Sequence, residues 1–146
     1  ALLDKLTTGG FNRRFQPVKT GYEWITSDEE IAASYGRAPL RCFRFTVNAY
    51  DNMFVSIGEA QSARRMKGIP KSLPLLLISG ECDPVGGFGK GVRAAYARYR
   101  AAGLQQVRCL LYPGCRHELL NEVNRETVYA DLLDWMNAHM AAGQKG

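Results

Sequence analysis

One hundred and forty-six residues, 46% hydrophobic, 23% charged and 10% aromatic, make an ordinary globular composition, long enough for one domain or a piece of one. The net charge of +5 comes from 19 scattered basic residues whose densest clusters, Arg13-Arg14 and Arg64-Arg65, are only pairs, so no basic stripe with stacking aromatics points to nucleic acid. No apolar run approaches the roughly 18 residues of a membrane span, and a cytoplasmic location is the expectation.

In chain order, the first informative stretch is "SDEE" (27–30). Ser27 and Glu30 have the spacing of a capping box, which predicts a short helix stopping at Gly36. A second helix is expected after Thr46, where Val47, Tyr50, Phe54 and Ile57 share one face and Met53 stands beside it. No strand is evident before residue 70. From there "LPLLLISG" (73–80) is a short continuous apolar run stopped by glycine, the pattern of a parallel strand covered on both faces. "VRAAYARYRAAG" (92–103) reads as a helix ended by Gly103. "VRCLLYPG" (107–114) reads as a second strand. From Asn121 or Asn124 the stripe Val128, Leu132, Trp135, Met136 predicts a final amphipathic helix. Strand, helix, strand, helix is the order of an α/β unit with a parallel pair.

Chemistry in such sheets gathers in loops beyond the carboxyl ends of the strands. The first strand runs into "GECDPVGG", with Glu81 and Asp83; the second runs into "PGCRH", with His117. Neighbouring parallel strands thus bring a carboxylate and an imidazole to one rim. If Asp83 accepts the Nδ1 proton of His117, the tautomer is fixed and Nε2 is left as a general base. A carboxylate oxygen of Asp83 is then expected about 2.6 to 3.2 Å from Nδ1, with Glu81 as the competing acid. His139, near the end of the last helix, fits a favourable charge at a helix C-terminus. Glu118 and Glu122 fit helix-start residues that brace the loop.

Two patterns fall short. "HELLN" lacks the second histidine of H-E-x-x-H, and "GGFGKG" fails the spacing of a phosphate-binding loop. Neither a metal nor a cofactor is expected, and the glycines of 86–91 serve a sharp turn instead. Cys42, Cys82, Cys109 and Cys115 include no C-x-x-C pair. Reduced thiols are the default, with disulfides left formally open by the even count.

Taken together, "LPLLLISGECDPVG", "VRCLLYPGCRHELLNE" and "DLLDWMNAH" resemble the C-terminal end of an α/β-hydrolase of the monoacylglycerol lipase, lysophospholipase and serine-aminopeptidase-like group. The resemblance implies an α/β fold in which residues 1–70 are the end of a preceding core plus a helical lid. Residues 71–146 are then the C-terminal core segment with the acid and base loops. It places Asp83 on the acid and His117 on the base of a Ser-Asp-His triad. The G-x-S-x-G elbow of that group is absent from these residues, and the chain starts at Ala1 without methionine. The expectation is the C-terminal portion of a longer serine hydrolase, inactive without its missing N-terminal half.

The resemblance further implies a small hydrophobic ester or lysophospholipid as substrate, with Phe43, Phe45, Tyr50, Met53 and Phe54 lining an acyl pocket. The same side chains equally suit packing of the insertion onto the sheet, and a peptide substrate stays open. The alternative function is a non-catalytic interaction or assembly module on the same fold. Strand 73–79 also has only one clear neighbour, so its other edge is expected to be covered by upstream strands or by a homo-oligomer.

Overall fold

The computed structural model describes residues 2–39 and 45–143. A parallel pair of strands stands at its centre. β1 (Leu75–Gly80) and β2 (Val107–Tyr112) run in register from Leu75 opposite Val107 to Gly80 opposite Tyr112. The ladder starts two residues into the apolar run: Leu73 closes a turn onto Pro70 O at 3.1 Å, and Pro74 has no N–H to offer.

Before the sheet, described residues form α1 (Leu2–Thr7), a 3-10 turn (Phe11–Arg14), α2 (Glu29–Tyr35), α3 (Val47–Ala60) and α4 (Ala63–Lys67). Within the sheet unit come α5 (Lys90–Ala101), a 3-10 turn (Leu119–Asn121) and α6 (Arg125–Gly143). The end of α5 follows from Gly103, whose φ of +96° suits glycine. The N–H groups of Gly103 and Leu104 turn back to Arg100 O and Tyr99 O at 3.0 and 3.2 Å, and the exit residue Leu104 is buried.

Two local expectations are corrected. Ser27 does not cap α2; Asp28 does, its Oδ1 accepting from the N–H groups of Glu30 and Ile31 at 3.1 Å each. The reason is tertiary, because Ser27 spends its N–H and hydroxyl on Glu122. The apolar face of α3 is only partly covered. Tyr50 is buried, whereas Val47, Phe54 and Ile57 are exposed.

The core beneath the rim joins Tyr112, Cys115, Leu119 and Val128, with Ile78, Leu110 and Leu132 packed against it. The stripe of α6 therefore meets the core through its first half, and Met136 is exposed. Cys82, Cys109 and Cys115 are free thiols, while Cys42 lies outside the described residues. Among the described residues no helix is long and apolar enough to cross a membrane.

Candidate functional site

Because Gly80 and Tyr112 are register partners, the chain leaves both strands side by side. The two loops are then joined by backbone hydrogen bonds. Glu81 N–H donates to Tyr112 O at 3.0 Å and Cys82 N–H to Cys115 O at 2.9 Å. Gly80 permits this approach: a Cβ there would lie 2.2 Å from both Cys115 O and Arg116 O.

Asp83 is buried, 7% exposed, inside a tight turn of its own. Its backbone O accepts from Phe88 N–H and its Oδ1 from Val85 N–H, both at 2.8 Å, which is an Asx-type turn ahead of a glycine-rich stretch. Gly87 and Gly89 there have φ of +61° and +81°, the conformations their missing Cβ allows. Asp83 Oδ2 lies 3.1 Å from His117 Nδ1, within the expected reach. Glu81 stands elsewhere, exposed and 3.9 Å from Arg93.

Electrostatics couple the pair. Burial pushes the Asp83 carboxyl up, but the hydrogen bond from His117, the N–H groups of Val85 and Gly86 and the histidine's charge outweigh it and hold the group below its ordinary value. His117 is raised, first by its hydrogen bond to Asp83 and then by the charges of Asp83 and Glu118, against the opposing effect of partial burial. The imidazole keeps 38% of its side chain exposed, enough for a reacting group to reach it.

The surroundings of His117 include residues that the sequence does not single out. The Trp24 ring lies 5.2 Å from the imidazole, with Phe11 5.0 Å behind it. The following residue, Glu118, donates its N–H to Ile25 O at 2.7 Å. The Arg116 guanidinium, 4.4 Å from the Phe15 ring, donates to the backbone oxygens of Glu23 and Thr26. Glu122, expected to start a helix and brace the loop, is fully buried and lies between Ser27 and Arg116. No local pattern announces these contacts, since they join residues about 90 positions apart.

Three of the proposed acyl-pocket residues form an aromatic row. Tyr50 meets Phe45 at 5.4 Å and Phe54 at 6.2 Å between ring centres; Met53 is half-buried on the same helix, and Phe43 lies outside the described residues. A cleft of about 470 Å³ beside the base loop is lined by polar and apolar side chains alike, among them Arg14, Phe15, Glu23, Ala33 and Arg116. Glu23 there is held down to about 2: burial opposes ionisation, but N–H groups of residues 19, 20 and 23 and the Thr20 hydroxyl outweigh it. His139 is engaged elsewhere, its Nδ1 2.7 Å from Trp135 O. Among the described residues, no three His, Cys, Asp or Glu side chains gather as a metal would require.

The arrangement is a buried aspartate carboxylate hydrogen-bonded to a partly exposed imidazole at the ends of adjacent parallel strands. A family model described as "Serine aminopeptidase, S33" matches residues 3–124. Among solved structures the chain is 28% identical to a highly thermostable carboxyl esterase from Bacillus coagulans in complex with glycerol. The TM-score is 0.78, covering 94% of this chain and 44% of that one. It is 27% identical to a lipase in its open form, with a TM-score of 0.79 and the same two coverages. The chain thus spans less than half the length of either structure. No curated protein matches it.

Proposed function

This chain belongs to the serine aminopeptidase S33 family of α/β-hydrolases, and from that premise we propose that it carries the acid and general base of a Ser-Asp-His triad acting on hydrophobic carboxylic esters. The observation that supports this most is the 3.1 Å contact of His117 Nδ1 with Asp83 Oδ2 at the ends of adjacent parallel strands. Ionised Asp83 accepts the Nδ1 proton and orients the ring. Nε2 then takes the proton of a serine hydroxyl as its oxygen attacks the ester carbonyl, and the imidazolium returns that proton to the leaving alcohol. Water repeats the cycle on the acyl-enzyme and regenerates serine.

The 146 residues contain no G-x-S-x-G. In this reading the nucleophile and the oxyanion-binding N–H groups lie upstream of Ala1, and the chain alone hydrolyses nothing. Ester is preferred to amide because the similar structures are a carboxyl esterase and a lipase. The row Phe45, Tyr50, Phe54 with Met53 offers apolar surface suited to an acyl chain.

The pH dependence of p-nitrophenyl butyrate hydrolysis by the complete polypeptide tests the reading. Neutral His117 is the working base, so its raised pKa places the acid limb of kcat/KM above the ordinary imidazole value. D83N removes the largest cause of that rise; the limb should move down while the rate falls at least ~100-fold. Stability runs the other way. With His117 raised, its contribution is present below the unfolded imidazole value and fades as pH climbs through the folded one. With Asp83 lowered, its contribution is present above the unfolded carboxyl value and fades as pH drops through the folded one. The pair therefore stabilises most between the ordinary aspartate and histidine values, where the base is largely protonated. An acid limb that D83N does not move sinks the assignment.

The same reading has upstream strands covering the edge of β1 that faces away from β2; among the described residues the sheet has two strands. Prepared alone, the 146 residues are expected to self-associate through that edge or to retain an N-terminal fragment. Light scattering with intact mass checks this, and a stable, monodisperse monomer without a companion peptide overturns it.

A further inference from the structure

One buried carboxylate stands behind the base loop. Glu122 is 0% exposed, yet it bonds neither to His117 nor to Asp83. Its Oε1 accepts from Arg116 N–H at 2.6 Å, both oxygens lie 3.1 Å from Ser27 N, and Oε2 accepts from the Ser27 hydroxyl. A fully buried carboxylate is costly unless such donors surround it, and here they come from the base loop just upstream and from Ser27, 95 positions away.

The partner on the base loop gives this bond its meaning. Arg116 N–H belongs to the peptide group whose carbonyl is Cys115 O, and that carbonyl accepts from Cys82 N–H at 2.9 Å. One rigid plane is therefore held by Glu122 on its N–H side and by the acid loop on its C=O side. Asp83 follows Cys82, and His117 follows Arg116. The Gly80 backbone lies against the same plane, leaving no room for a Cβ. Shifting this peptide moves the imidazole relative to its acid.

We infer that Glu122 is a positioning residue: through the Cys115–Arg116 peptide it aligns His117 with Asp83, while Ser27 locks the carboxylate in place. Neighbouring bonds fit that role. Thr26 donates its hydroxyl to Asn121 O at 2.7 Å and Arg125 lies 3.5 Å from Asp28, so the 26–28 segment and the approach to α6 are tied on both sides of Glu122. The inference rests on the proposed pairing of His117 with Asp83.

The test titrates His117 by NMR in the complete polypeptide, for wild type, D83N, E122A, E122Q and E122D. A merely structural role lowers the melting temperature without moving the titration of the folded protein. Alignment predicts otherwise. E122A should reproduce at least half of the downward shift that D83N causes, and adding E122A to D83N should shift His117 little further. E122Q, which still presents an oxygen to Arg116 N–H, should keep most of the wild-type value. E122D keeps the charge but withdraws its oxygens by one methylene, and should shift part-way; it decides the matter should E122A fail to fold. If D83N moves the titration while E122A and E122D leave it in place, Glu122 is not a positioning residue. If D83N itself has no effect, the Asp83–His117 pairing is what fails.

Discussion

Replacing His117 by alanine is expected to lower kcat/KM of the complete enzyme by about 10³-fold or more, with stability changed by only ~1 kcal/mol. The two effects separate because of where the side chain sits. In the proposed role of base, His117 would take part in every proton transfer of both half-reactions, and among the described residues the other imidazole, His139, is bonded to Trp135 O on α6. For the fold it is an exposed loop residue, and Asp83 keeps its bond from Val85 N–H when the ring is removed. His139→Ala, the matched control, should hydrolyse ester at the wild-type rate. Steady-state kinetics with a chromogenic ester, beside thermal melts, measure both quantities. A His117→Ala enzyme retaining more than about a tenth of wild-type activity excludes the assignment.

Gly80→Ala is expected to destabilise by about 3 kcal/mol or more, making it the most damaging single methyl group in the sheet unit. The new Cβ would meet Cys115 O and Arg116 O at 2.2 Å and Cys115 C at 2.5 Å. These are backbone atoms, so no rotamer change relieves the clash; the base loop must retreat by about an ångström, against ordinary carbon contact distances of ~3.5 Å. The retreat breaks the Cys82 N–H bond to Cys115 O and drags His117 from Asp83. Gly58→Ala is the contrasting variant. Nothing lies within 4 Å of its Cβ position in α3, and the gain in helix propensity should stabilise by roughly 0.5–1 kcal/mol. Denaturant midpoints compare the two, and a Gly80→Ala midpoint equal to wild type contradicts the close approach.

Both predictions draw on features of different visibility in the sequence. The apolar runs at 73–80 and 107–112 and the three- and four-residue spacing of 92–103 identify β1, β2 and α5 to within about two residues, because strand and helix periods are local properties. Parallel strands place their outgoing loops on one rim, so the meeting of Asp83 with His117 follows from strand order and loop composition. The preference for Asp83 over Glu81 came from the resemblance, and the turn that buries Asp83 and the lean of Glu81 toward Arg93 agree with it.

What the chain's own pattern determined, then, is the order of elements, the rim and the pair of residue types on it. Only the tertiary structure decided that Asp28 caps α2, that Trp24 stands beside His117, and that Glu122 is a buried hub. The Glu122–Ser27 contact joins residues 95 positions apart, and no periodicity spans that distance. "SDEE" satisfies the local rule for a capping box, but the rule fails because a buried carboxylate needs the Ser27 N–H and hydroxyl more than the helix end does. The apolar side of α3 has the same origin: spacing shows that Val47, Phe54 and Ile57 share a face, whereas their exposure depends on what lies opposite, which a one-dimensional pattern does not encode.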